Sequence, residues 1–195
     1  YNTPLDKLDF EWSREEKVLI DRYCEKIKKN IEEEGGMTPL QRWEATVYGK
    51  DKDRTLTYLA TTSVYISHVM DHSCDAVKPV DTYMYPKLWI IAHLATAARF
   101  GLDYCNFHNI NYGEDMWGGQ SIMIDYGNPI IEPPMPIKTI DDLEGMPIPD
   151  TRTDGLYPGY LWANKEYRRI LTEYDIPMPL WTSICPGPDL LIMMG

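Results

Sequence analysis

The chain has 195 residues, 44% of them apolar and 25% charged, the composition of a soluble globular domain or a large piece of one. With 30 acidic against 19 basic residues and a formal net charge of -11, it lacks the basic track that nucleic-acid phosphates or an anionic membrane surface would require. The longest apolar runs, 88–91 and 190–194, are far too short to span a bilayer, and no charged-then-apolar leader opens the chain, so a cytoplasmic setting is expected.

Ser13 opens a capping box with Glu16, and Ile20, Tyr23, Cys24, Ile27 and Ile31 recur at helical spacing until Gly35 and Gly36 stop the run. A second helix is predicted after Thr38 as N-cap and Pro39 in the first position, with Leu40, Trp43 and Val47 as its apolar face and Gly49 at its end. The polar "KDKDR" leads into "TLTYLATT", read as a strand, and "SVYISHVMD" then has helical spacing. Pro86 to Gly101 is the clearest helix, apolar nearly all round and hence buried on most sides.

"LDYCNF" is a second predicted strand, followed by the polar stretch "FHNINYGEDMWGG" as a loop and short helix. A hairpin is expected around Tyr126, Gly127 and Asn128. Thr139 caps a short helix inside a proline-rich segment, "PGYLWANKEYRRILTEYD" is a further helix, and "PMPLWTSICPGP" a third core strand. Alternating strands and helices predict a parallel sheet with right-handed crossovers, whose chemistry sits at the strands' C-terminal ends. Those ends are 61–63, His108 with Asn109, and 184–186.

His108 and Asn109 are therefore the candidate catalytic residues. A histidine at a strand end can exchange a proton with a bound substrate, and the competing reading is that the pair caps the following turn. Thr62, Ser63, Tyr65, Asn111, Tyr112, Glu114, Asp115 and Cys185 are the candidate substrate- or cofactor-binding residues around them. Glu114 or Asp115 could orient His108, or simply fix the loop. Tyr65, Tyr83, Tyr85, Tyr104 and Tyr112 could stack on a flat ligand, although core or rim packing is the commoner role of such residues.

Other polar residues have plainer readings. His68, His72 and Cys74 in "HVMDHSC" have metal-ligand spacing, yet their place in the first crossover favours a helix end with packed or solvated histidines. His93, inside an apolar helix, reads as a hydrogen-bonded core histidine. Cys24, Cys74, Cys105 and Cys185 form no CxxC pair and read as buried thiols rather than a disulfide framework or a zinc ribbon, so no metal ligand is assigned.

Several segments in order resemble the uroporphyrinogen decarboxylase superfamily, which includes the cobamide-dependent methyltransferases: "MTPLQRWEATVYGKDKDR", "RFGLDYCNF", "EDMWGG", "GNPIIEPPMPIKTIDDLEGMPIPD" and the strand-end "PGP". They cover roughly residues 37 to 195, and residues 1–36 look like an added N-terminal helical arm. The resemblance implies an α/β fold, a (β/α)8 TIM barrel of which this chain holds only the N-terminal part. Such a part-barrel would be completed by a missing C-terminal half or by a second chain. The start at Tyr1 and the apolar run at the end fit a chain cut at both ends.

The family's decarboxylases hold a polycarboxylate through an arginine-rich segment after the first strand and an aspartate after the second. Here the first segment is "TTSVYISHVMD", without arginine, and Asn109 stands at the position matching the aspartate. Asparagine cannot be the anionic partner of a pyrrole N–H, and a mouth without arginine cannot neutralise many carboxylates. The methyltransferase branch fits better. It implies a corrinoid carried by a partner protein, a small-molecule substrate, and zinc bound by ligands expected outside this chain. The alternatives are uroporphyrinogen decarboxylase itself and a non-catalytic docking subunit.

Overall fold

The computed structural model describes residues 10–59, 85–108, 114–117, 119–122, 130–132 and 137–183. Helix α1 spans Arg14–Glu34 and begins with the predicted capping box: the Glu16 amide donates to Ser13 Oγ (3.1 Å) and the Ser13 amide to Glu16 Oε2 (2.8 Å). Ile20, Cys24 and Ile27, four and three residues apart, form its buried stripe. At the far end Gly36 has φ +73°, and a Cβ there would lie 2.7 Å from Asp53 Oδ2. Only glycine lets the chain pass that carboxylate.

Helix α2 spans Pro39–Val47 and is started by Thr38, whose hydroxyl accepts from the Gln41 amide while Gln41 Oε1 accepts from the Thr38 amide. Replacing Thr38 by alanine is expected to lower stability by about 1 kcal/mol, read as a fall in the urea midpoint. The helix turns a different face inward from the one its apolar pattern predicts. Pro39, Arg42 and Ala45 are buried, whereas Val47 is 59% exposed. Trp43 is half-buried, edge-on to Tyr104 with ring centroids 5.1 Å apart.

Helix α3, Pro86–Phe100, lies at the centre. Ten consecutive residues from Trp89 to Ala98 are buried, because α1 covers one side of it and a later helix another. Alanines at 92, 95, 97 and 98 allow close approach, and Asn30 on α1 donates to the Ala98 carbonyl (2.8 Å). Gly101, with φ +60°, ends the helix in the left-handed conformation. A short helix α4, Ile140–Glu144, follows Thr139 as predicted, and α5 spans Tyr157–Glu173. Ala163, Tyr167, Ile170 and Leu171 of α5 join α1 and α3 in one core with Ile176 and Met178.

The described residues before and at the start of α1 are fastened to this core. Trp12 donates to Glu166 Oε1 (2.6 Å), Phe10 packs edge-on against Trp162 (4.7 Å), and Lys87 meets Glu16 (2.8 Å).

Strands β1 (Tyr58–Leu59), β2 (Tyr104–His108) and β5 (Leu180–Ser183) pair in parallel in the order β1-β2-β5. Strands β3 (Gln120–Ile122) and β4 (Ile130–Glu132) form a separate antiparallel pair.

The (β/α)8 barrel expected from the resemblance, whole or in part, is not what these residues form. They make a predominantly helical body, and the strands are two to five residues long. Helix α3 supplies the physical reason. A barrel's outer helix buries one stripe against the strands and shows the other to water, whereas α3 is covered by α1 and α5 as well as by β2 and is buried along ten consecutive residues. Among the described residues no helix is long and apolar enough to cross a membrane.

Candidate functional site

The three parallel strands have two ends of different character. At the C-terminal end, His108 closes β2 and is the register partner of Ser183, which closes β5. Sequence reasoning places that third strand end at 184–186, which lies outside the described residues. Glu114 and Asp115 begin a 3-10 turn, Glu114–Trp117, that follows β2 in the chain. Asn109, Thr62, Ser63, Tyr65, Asn111, Tyr112 and Cys185 lie outside the described residues, as do His68, His72, Cys74 and Tyr83.

The N-terminal end is closed by a charge cluster. Asp103, immediately before β2, is fully buried and accepts five hydrogen bonds. Oδ1 receives Arg42 Nη1 (2.5 Å) and Arg54 Nη2 (3.1 Å), while Oδ2 receives Arg54 Nη1 (2.6 Å), the Thr57 amide (2.7 Å) and the Thr57 hydroxyl (3.0 Å). Arg42, also fully buried, grips Asp53 through Nε (2.7 Å) and Nη2 (2.8 Å) and donates to the Met37 carbonyl (2.7 Å). Arg54 continues to Glu34 at the end of α1. Two guanidiniums and three carboxylates thus tie α1, α2 and the starts of β1 and β2 together.

Burial pushes the Asp103 carboxyl up, but the hydrogen bonds from Arg54, the Thr57 amide and Arg42 outweigh it and hold the group below its ordinary 3.8. Hydrogen bonds from Arg42 hold Asp53 well below the usual carboxylate range in spite of desolvation. The cluster keeps its acids ionised and its donors engaged, so it offers neither a poised general acid nor a free base. It is a fastening. Because the Asp103 carboxyl is lowered in the folded state, its stabilisation is complete above 3.8 and is lost as pH falls through the lowered value. An Asp103→Asn variant is expected to lose less stability than wild type between about pH 6 and about pH 3, measured by urea midpoints.

Sequence reading assigns Arg42, Asp53, Arg54 and Asp103 no role. The one local sign is a cation on the inward side of α2, hidden because its partners lie 11 and 61 residues away. His93 is fully buried and stacks on Trp89 with ring centroids 5.5 Å apart, a core position. Burial, reinforced by Asp21, Glu25 and Glu173, pushes the Cys24 thiol up to about 12, which makes it unreactive. Among the described residues no three of His, Cys, Asp and Glu are placed to hold a metal ion. Comparison with protein-family models, with curated proteins and with solved structures finds no match to this chain.

Proposed function

We propose that this chain belongs to an enzyme that transfers a methyl group between a corrinoid held by a partner protein and a small molecule, as in the cobamide-dependent methyltransferases that its segments resemble. The supporting observation is the shared strand end at which His108 and Ser183 are register partners. Ser183 stands two residues before Cys185 in sequence. Such an end can present proton-transferring and hydrogen-bonding groups to a small acceptor. Asn109 and the arginine-free segment "TTSVYISHVMD" speak against a polycarboxylate substrate. The setting we propose is cytoplasmic, where well-separated thiols stay reduced.

His108→Ala tests the site. With methylcobalamin and a thiol as probes, turnover is expected to fall roughly 100-fold or more, with urea unfolding unchanged to show that the fold is intact. Turnover within twofold of wild type would remove His108 from the site. Absence of turnover in wild type, with stable binding to a corrinoid protein, would favour the docking subunit.

A further inference from the structure

We propose that Asp103 is a positioning residue: its carboxylate pins the register of β2, and through it the placement of His108. The functional consequence rests on the site reading above, whereas the pinning itself does not.

The paired stretches are short. β1 meets β2 at two positions and β2 meets β5 at four. So few ladder bonds specify register weakly, and a slip of one residue turns every side chain of a strand to the opposite face. At the start of β2 the constraint is far denser. The Asp103 amide donates to the Thr57 carbonyl (3.0 Å), and the Asp103 carboxylate takes the Thr57 amide and hydroxyl in return. This closes a reciprocal clasp between the residue before β1 and the residue before β2. Two arginines hold the same carboxylate against α1 and α2. A carboxylate offers about four lone-pair sites, and here five donors converge on them. No slipped register could satisfy that set, since it would leave buried donors without an acceptor. His108 is five residues along the strand, about 17 Å at ordinary strand rise. An extended backbone carries that fixed origin to the other end.

Hydrogen exchange on Asp103→Asn tests the pin, because asparagine keeps the size and removes the charge. Amides of 104–108 and 180–183 are expected to exchange at least tenfold faster than in wild type, while those of 89–98 stay within twofold. The imidazole NMR signal of His108, assigned by its loss in His108→Gln, is expected to shift. The control Ile170→Val, which loosens the core, should leave that signal in place. Uniform acceleration of all three segments, or an unmoved His108 signal, would overturn the proposal. If Asp103→Asn does not fold, Arg54→Lys decides by the same readouts. Absence of methyl transfer in wild type would defeat the functional reading and leave the exchange result standing.

Discussion

Asp103→Ala is expected to lower the unfolding free energy by roughly 3–5 kcal/mol, the largest loss from any single side chain in the cluster. Removing this carboxylate strands five donors at once: Arg42 Nη1, Nη1 and Nη2 of Arg54, and the amide and hydroxyl of Thr57. Arg42 has no access to water, so its charge would stay buried with Asp53 as its main counter-ion. Arg54 is partly exposed and recovers solvent. Arg42→Met is expected to cost less than Asp103→Ala, because Asp103 would keep Arg54 and Thr57. Urea or guanidinium titration of the three proteins checks the order, and equal midpoints would show that the cluster contributes little.

Ile27→Ala is the second large effect, expected at about 2–5 kcal/mol. Ile27 is 2% exposed in the core that α1 shares with α3 and α5. α3 is apolar on nearly every side, so the surface left bare by a withdrawn α1 would be large. The control Val18→Ala, on the same helix but 58% exposed, is expected to change stability by no more than about 0.5 kcal/mol. If the two variants unfolded alike, α1 would be an appendage rather than a wall of the core. The resemblance makes residues 1–36 an added helical arm, and the packing of Ile20, Cys24 and Ile27 places α1 in the core.

What could be read locally came out of the sequence well. Ser13 with Glu16, Thr38 with Pro39, and Gly101 after an apolar helix are signals contained within four residues of a helix end, and the starts of α1 and α2 and the end of α3 follow from them. The inward face of α2 was not legible. Leu40, Trp43 and Val47 carry the apolar pattern, but Arg42 takes the buried position because Asp53 and Asp103 arrive from elsewhere in the chain to neutralise it. The barrel expectation failed for a related reason. The resembling segments speak of order along the chain, and order does not reveal that α3 would be covered by α1 and α5 as well as by β2. The place of His108 on β2 was legible because the strand's apolar run is a local feature, whereas its pairing with Ser183 depends on the register between β2 and β5.

Which substrate the protein takes is tested most directly by a paired assay. One preparation of the native protein is given methylcobalamin with a thiol and, separately, uroporphyrinogen. Methyl transfer predicts loss of the methylcobalamin spectrum with the thiol methylated, and uroporphyrinogen left unchanged. Decarboxylation of uroporphyrinogen with methylcobalamin untouched would contradict it.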